Sequence, residues 1–278
     1  MSEMNLRKDL VSGVVAGVAN VLVSGPLDTA RTRIQVHGLF SNSKPSVYSA
    51  FYSLYSQHNI RGLYKGLQAS LIAAPAAWSI YFPVYNYTRH YLSTYSSNKN
   101  LNNLGGSLAG GFMGTILTNP LWLIRARLQA SDQQDSIYEV FRKILKQEGP
   151  GTFLRGIAVS SLGIIHIGIQ FPLYELSKSY LTDQEKPPGL GKMILCSSLP
   201  KLVASLVTYP NEVLRSRVYV HNKSTDKRFS GVLSLLTFTW KNEGLRGFYS
   251  GFFLNTLRVL PSTFITLYTY EWVSYWLK

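Results

Sequence analysis

One pattern of proline, acid and base recurs three times along the chain and constrains its fold more than any other feature. The first copy runs from Pro26 to Arg33, and the other two begin at Pro120 and Pro210. The spacings are 120 − 26 = 94 and 210 − 120 = 90 residues. Self-similarity at a nearly constant spacing is typical of repeated structural units, so we expect three homologous thirds.

Each copy predicts a kinked helix with a charged face. A proline inside an apolar helical run removes a backbone donor and clashes with the preceding turn. Asp28 and Arg31 are three residues apart and therefore lie on one helix face, as do Glu212 and Arg215. Charges within a lipid-embedded segment usually face the protein interior and are paired. Three such helices can close a ring in which each acid pairs with the base of the next repeat.

This predicted ring is incomplete, because Trp122 takes the place of the acid in the second copy. Two ion pairs remain possible, and Arg215 is expected to lack an acid. Glutamines nine residues after the first two prolines are expected to brace the pairs by hydrogen bonds. The predicted ring consists of the pairs Asp28–Arg125 and Glu212–Arg31, the glutamines Gln35 and Gln129, and Trp122 and Arg215.

The composition favours a membrane protein over a soluble one. The 278 residues are 46% apolar and only 15% charged, whereas globular proteins average about 25% charged. The net charge is +14, which in a soluble protein would favour nucleic acid. In a membrane protein the same charge favours anionic ligands, anionic lipid or basic loops on one side. One cysteine, Cys196, excludes an internal disulfide.

Each third contains two long apolar segments around a short amphipathic one. The repeats span residues 9–95, 101–181 and 190–278 within a single domain, 1–278. A segment of about 20 apolar residues is enough to cross the hydrocarbon core of a bilayer. The sequence therefore predicts six membrane spans with both chain ends on the same side.

The three proline motifs, each followed by an aromatic and basic turn ending at Gly66, Gly156 or Gly251, resemble the mitochondrial carrier family. The resemblance covers essentially the whole chain. It implies an all-α membrane protein of three tandem repeats, each with two tilted transmembrane helices and a short matrix helix. It further implies a pseudo-threefold six-helix barrel around a cavity that opens alternately to either side, with the proline motifs as the matrix-side gate.

In that family a second motif, aromatic-acid-x-x-base, ends the even-numbered spans and forms the cytosol-side gate. Its copies here are Tyr85-Asn86-x-x-Arg89, Tyr174-Glu175-x-x-Lys178 and Tyr270-Glu271-x-x-Ser274. The resemblance implies the ion pairs Arg89–Glu175 and Lys178–Glu271, with a hydrogen bond between Asn86 and Ser274. Both predicted gates therefore hold two ionic links, which we expect to lower the cost of opening.

Further residues resemble the branch of the family that carries pyrimidine nucleotides, NAD, FAD and folate. They are Trp122 within the second proline motif and the runs that begin at Ser198 and Arg258. The run from His166 to Glu175 looks most like the NAD carriers of fungi. This resemblance implies transport of NAD+ in exchange for other nucleotides, with FAD, folate or a pyrimidine nucleotide as alternative substrates.

A dinucleotide needs cations for its phosphates and flat or small surfaces for its rings. Counting helical turns back from the second motif, and one helical repeat back from Pro210, gives candidate substrate contacts. They are Trp78, Tyr81, Gly163, His166, Gln170, Lys201, Arg258 and Ser262. Arg258 and Lys201 are predicted to hold phosphate, and Trp78 or Tyr81 to stack on a base. Three of these candidates have a structural alternative: packing for Trp78, an interior hydrogen bond for His166 and an ion pair for Arg258.

No enzyme activity, cofactor or metal site is expected, because the sequence lacks a GxGxxG motif, a P-loop and metal-ligand spacing. A soluble nucleic-acid binder would explain the charge but not the six apolar segments. The expected partners are a small nucleotide and membrane lipid, in particular cardiolipin. We expect a monomer in the mitochondrial inner membrane, with the peroxisomal membrane as the alternative.

Overall fold

Helices make up nearly all of the described chain. The computed structural model describes residues 3–41, 46–181, 190–221 and 231–276. The helices are α1 (Glu3–Phe40), α2 (Val47–Leu63), α3 (Leu67–Ser93), α4 (Lys99–Ala130), α5 (Ile137–Gln147), α6 (Ile157–Leu162), α7 (Ile164–Leu181), α8 (Leu190–Val220), α9 (Val232–Phe248) and α10 (Phe252–Trp276). A short 3₁₀ helix, Pro150–Leu154, precedes α6. No strand occurs among the described residues.

The predicted three-repeat, all-α architecture is confirmed. Each third supplies a long helix that contains one of the three motif prolines, then a short helix, then a second span. The most extensive contacts join neighbouring repeats: α3 packs on α4, α7 on α8, and α10 on α1. The last helix thus returns to the first, and the six spans close into a barrel.

The buried core lies where the short helices pack, at the end of the barrel that carries the three proline motifs. We call this end the proline end. Three separate clusters of buried side chains occur there. Each includes one short helix, represented by Leu54 of α2, Ile144 of α5 and Leu235 of α9. Each cluster therefore joins a short helix to the long helix of its own repeat and to residues of a neighbouring repeat.

Three stretches of the described chain are long and apolar enough to cross a membrane: Asn59–Ser93, Pro150–Tyr180 and Gly191–Val220. Large apolar side chains also remain exposed along the other long helices, including Val14, Leu22, Leu117 and Leu257. Exposed apolar surface of this extent is expected where a protein contacts lipid rather than water.

The fourth span, Ile157 to Leu181, is not one continuous helix. It breaks at Gly163, between α6 and α7. The amide of Gly163 donates to the carbonyl of Ser160 at 2.9 Å, and the amide of His166 donates to the carbonyl of Gly163 at 3.1 Å. These are tight i to i+3 bonds, which interrupt the regular α-helical ladder.

The glycine that closes each repeat's turn has a left-handed backbone. Gly66, Gly156 and Gly251 have φ values of 75°, 78° and 80°. A side chain at Gly156 would also collide with the next repeat, because its Cβ would lie 2.6 Å from Cε1 of Tyr219. Only glycine combines this conformation with so close an approach.

Candidate functional site

The proline end of the barrel holds a cluster of ion pairs between repeats. Arg125 Nη2 donates to Asp28 Oδ2 at 3.2 Å, and Arg31 pairs with Glu212. The four side chains are between 13% and 24% exposed. The structure therefore brings together the two acid and base pairs expected from the motif, away from bulk water.

Arg258 joins this cluster from the last span. Its Nη1 lies 2.7 Å from Asp28 Oδ1, so each oxygen of Asp28 contacts a different arginine. The phosphate-binding prediction for Arg258 left this ion pair as the structural alternative, and the structure forms it. The buried Nε atoms of Arg125 and Arg258 have no hydrogen-bond acceptor among the described residues.

Trp122 replaces the missing acid with an aromatic face. The guanidinium carbon of Arg125 lies 5.1 Å from the centre of the Trp122 ring, a cation–π contact. The indole nitrogen of Trp122 donates to Thr118 Oγ1 at 3.0 Å. Arg215, the base of the third motif, makes no hydrogen bond or ion pair with any described residue.

The two glutamines do not brace the ion pairs directly, which corrects the prediction made for them. Gln35 Nε2 donates to the hydroxyl of Tyr209 at 3.1 Å, and that hydroxyl also accepts from Arg31 Nε at 3.4 Å. Gln35 thus supports Arg31 through a tyrosine. Gln129 accepts instead from Thr32 Oγ1 at 2.9 Å, because a threonine of the neighbouring repeat lies within its reach.

A second ring of arginines ties the repeats together, and the sequence analysis did not identify it. The second base of each motif donates through Nε to a backbone carbonyl of the next repeat. The accepting residue lies nine positions after the motif proline of that next repeat. These bonds are Arg33 to Gln129 at 3.2 Å, Arg127 to Tyr219 at 2.9 Å and Arg217 to Gln35 at 2.9 Å. The sequence feature that indicates this ring is the second base of the motif, which is present in all three copies.

The acids that pair with this second ring come from the short-helix turns in two repeats. Arg127 donates to Glu148 Oε2 at 3.0 Å, and Arg217 donates to Glu243 Oε2 at 2.7 Å. In the first repeat Arg33 pairs with Asp132 of the following loop, which is 70% exposed. The contact made by Arg33, between the first and second repeats, is therefore the most solvent-exposed of the three.

A cavity of about 580 Å³ lies above the cluster between α3, α4, α7 and α8. Three predicted substrate contacts line it: Trp78, Tyr81 and Gln170. Trp122 and Arg215 also line it. A smaller lobe of about 170 Å³ is bounded by Asp28, Arg125 and Arg258, and Trp122 borders both spaces.

Of the other predicted substrate contacts, Arg258 borders the smaller lobe, and the remaining four line neither space. His166 Nδ1 is 3.0 Å from Thr208 Oγ1, the interior hydrogen bond that stood as its alternative. Ser262 Oγ donates to Asn20 Oδ1 at 2.7 Å, which joins α10 to α1. Gly163 forms the break between α6 and α7. Lys201 lies within electrostatic range of Asp28, Arg31 and Arg258.

The opposite end of the barrel carries the second motif. Asn86, Arg89 and Lys178 are exposed there. The side chains of Glu175, Glu271 and Ser274 lie outside the described part of the structure. The predicted links of this gate therefore stay predictions.

The interior is electropositive. Among the described residues, five cations and two carboxylates lie within electrostatic range of one another around the cluster, which gives 5 − 2 = +3. The cations are Arg31, Arg125, Lys201, Arg215 and Arg258, and the carboxylates are Asp28 and Glu212. An excess of partly buried positive charge favours an anionic ligand, since uncompensated buried charge is costly.

Comparisons with known proteins agree with this architecture. The sequence model of the mitochondrial carrier protein family matches residues 2–96, 96–185 and 186–278. Nicotinamide adenine dinucleotide transporter 1 of Arabidopsis thaliana chloroplasts is 32% identical, over 97% of this chain and 91% of its own length. Mitochondrial nicotinamide adenine dinucleotide transporter 1 of Saccharomyces cerevisiae is 32% identical, over 94% of this chain and 75% of its own. Folate transporter 1 of Arabidopsis chloroplasts is 28% identical, over 98% of this chain and 96% of its own.

Proposed function

The chain belongs to the mitochondrial carrier family, and from this premise we propose that it carries NAD+ across a membrane in exchange for another nucleotide. Two relatives at 32% identity are nicotinamide adenine dinucleotide transporters. Transport needs no bond-making chemistry, so the proposal includes no catalytic residue, cofactor or metal.

The observation that carries this proposal is an aromatic cavity above an electropositive floor. A dinucleotide presents flat rings and a negatively charged pyrophosphate. Trp78 and Tyr81 line the cavity and offer aromatic surface for a ring. The excess of cations below offers charge-assisted hydrogen bonds to phosphate oxygens, with Lys201 and Arg258 as proposed ligands.

We propose that the cluster at the proline end is the matrix gate of an alternating-access cycle. Its ion pairs join α1 to α4, α8 and α10, so separation of the repeats must break them. The second motif at the opposite end forms the cytosolic gate in this proposal. Substrate anions and gate carboxylates then compete for the same arginines, which couples binding to opening.

A folate-type substrate is the second candidate, because a folate transporter is among the relatives. Folate has flat rings and carboxylates but no pyrophosphate. A panel of NAD+, FAD, folate and pyrimidine nucleotides therefore discriminates between ring recognition and phosphate recognition.

Transport by purified protein in liposomes tests the proposal. We expect labelled NAD+ to enter liposomes preloaded with nucleotide, and Glu212→Gln to alter the rate because it removes one gate pair. Uptake of folate in preference to NAD+ would replace the proposed substrate. Absence of transport of every compound in the panel would reject the function.

For cellular context we propose a monomer in the mitochondrial inner membrane, associated with cardiolipin. A named mitochondrial transporter from yeast supports the organelle, whereas the chloroplast transporters of Arabidopsis show that related proteins serve other membranes. Localisation of the tagged full-length chain against mitochondrial and peroxisomal markers tests this placement. Native mass spectrometry tests the oligomeric state and the lipid.

A further inference from the structure

We propose that Arg215 binds a phosphate group of the substrate rather than closing the matrix gate, an inference that rests on the proposed nucleotide transport. Arg215 occupies the same motif position as Arg31 and Arg125. Those two arginines pair with Glu212 and Asp28. The sequence offers Arg215 no equivalent acid, since Trp122 stands in its place.

The guanidinium N–H donors of Arg215 are available at a position that a ligand can reach. Among the described residues it has neither an ion pair nor a hydrogen bond. It is partly buried and lines the cavity of about 580 Å³. A guanidinium in such a position is stabilised when an anion arrives, because its five N–H donors fit phosphate oxygens bidentately.

The rest of the cavity wall makes Arg215 the one anchor for an anion there. Among the described residues that line the cavity, only Arg215 carries a charge. The wall otherwise consists of aromatic rings, small residues and neutral polar groups, including Trp78, Tyr81 and Gly114. Such a surface suits a nucleobase and a sugar, so the phosphate has a single cationic partner within this space.

Trp122 divides this space from the gate. The smaller lobe holds Arg125 and Arg258, and both of these arginines already contact Asp28. A phosphate that binds them must share them with a carboxylate, whereas a phosphate that binds Arg215 shares it with none among the described residues. Arg215 therefore receives the substrate before the gate pairs break. It is free to do so because Trp122 replaces the acid in the second copy of the proline motif.

The decisive experiment measures binding of AMP and adenosine to the detergent-solubilised full-length chain. The two ligands differ only in phosphate, so their affinity ratio isolates its recognition. We expect Arg215→Ala to weaken AMP binding by about 10- to 100-fold, the effect of losing charge-assisted hydrogen bonds. Adenosine affinity should stay near that of the wild type.

Four variants serve as controls. Arg215→Lys keeps the charge without the planar fork and should give an intermediate AMP affinity. Lys143→Ala removes an equal charge from a surface pair with Asp135 and should leave the AMP to adenosine ratio unchanged. Trp122→Asp should lower AMP affinity more than Trp122→Asn, because only aspartate can occupy Arg215.

Because the ratio is taken within one preparation, partial unfolding of a variant does not mimic the effect. An Arg215→Ala protein whose AMP to adenosine ratio equals that of the wild type would overturn the assignment but not the proposed transport. A ratio that depends on Arg215 in a protein that does not transport NAD+ would support the assignment and reject NAD+ as substrate. A wild type that binds neither AMP nor pyrophosphate would overturn both.

Discussion

Asp28→Asn removes the carboxylate that holds two arginines at the proline end. The variant keeps the shape of the side chain but loses its charge, so Arg125 and Arg258 face each other without a counter-ion. Glu212→Gln is the matched control, because Glu212 pairs with one arginine, Arg31. We expect Asp28→Asn to destabilise the closed gate more than Glu212→Gln does.

The size of the effect follows from burial. Removal of one partner from a buried ion pair costs about 3–5 kcal/mol, largely because the other charge is left uncompensated. Asp28 is 13% exposed and its partners are 21% and 23% exposed, which favours the lower end of that range. A cost of about 3 kcal/mol shifts the equilibrium between closed and open gate by roughly 100-fold.

Thermal unfolding in detergent provides the assay, and the chain contains its own probe. Cys196 is 5% exposed, so a thiol-reactive dye labels it only when the structure opens. We expect the labelling temperature to fall by several degrees in Asp28→Asn and by less in Glu212→Gln. Adding Arg258→Gln to Asp28→Asn should recover part of the loss, since it removes one uncompensated cation.

Two results would contradict this reasoning. Equal labelling temperatures for Asp28→Asn and the wild type would mean that the pairs contribute nothing net to the closed state. A double variant that melts below Asp28→Asn would mean that Arg258 stabilises the structure through contacts other than its pair with Asp28.

Three further predictions concern the scaffold of the gate. Arg217→Ala should lower the melting temperature more than Arg33→Ala, because Arg217 is fully buried whereas the acid that pairs with Arg33 is mostly exposed. Gly156→Ala should cost at least about 1–2 kcal/mol, since its positive φ disfavours any side chain; denaturant or thermal unfolding measures this. The hydrogen bond from the backbone N–H of Ser136 holds the pKa of Glu139 below its ordinary value of 4.5. The ionised carboxylate of Glu139 therefore stabilises the start of α5, and this stabilisation is fully present above pH 4.5. Hydrogen exchange of residues 136–147 should therefore show less protection as the pH falls through the lowered pKa, with Glu139→Gln as the pH-independent control.

The repeats made the architecture predictable, because the spacing of the prolines, acids and bases fixes which helix faces meet in a threefold ring. The sequence did not indicate that Arg258 shares Asp28, since the two residues are 258 − 28 = 230 positions apart and Arg258 lies outside the motif. Helical periodicity tells which face a residue occupies but not which side chain reaches it from another helix. The same limit explains the result for His166. Counting helical turns predicted that it faces the cavity, whereas its imidazole is hydrogen-bonded to a hydroxyl on α8.

The break at Gly163 and the indirect role of Gln35 have a different cause. Both depend on local hydrogen bonds, in which a backbone carbonyl or a tyrosine hydroxyl takes the place of the expected partner. Pattern analysis assigns a polar group to a face without ranking its possible partners. Such assignments are therefore least secure where several donors and acceptors crowd together, as at the proline end.

The replacement of one gate acid by Trp122 changes the charge balance as well as the number of links. With a third acid the interior would hold five cations and three carboxylates, or +2, whereas it now holds +3. The cation–π contact with Trp122 offsets part of the repulsion at Arg125 but leaves the charge in place. For the proposed substrate NAD+, the two negative charges of the pyrophosphate offset part of this excess, whereas the empty cavity keeps all of it. For the proposed carrier, we therefore expect exchange of one anion for another to be favoured over the return of the unloaded protein.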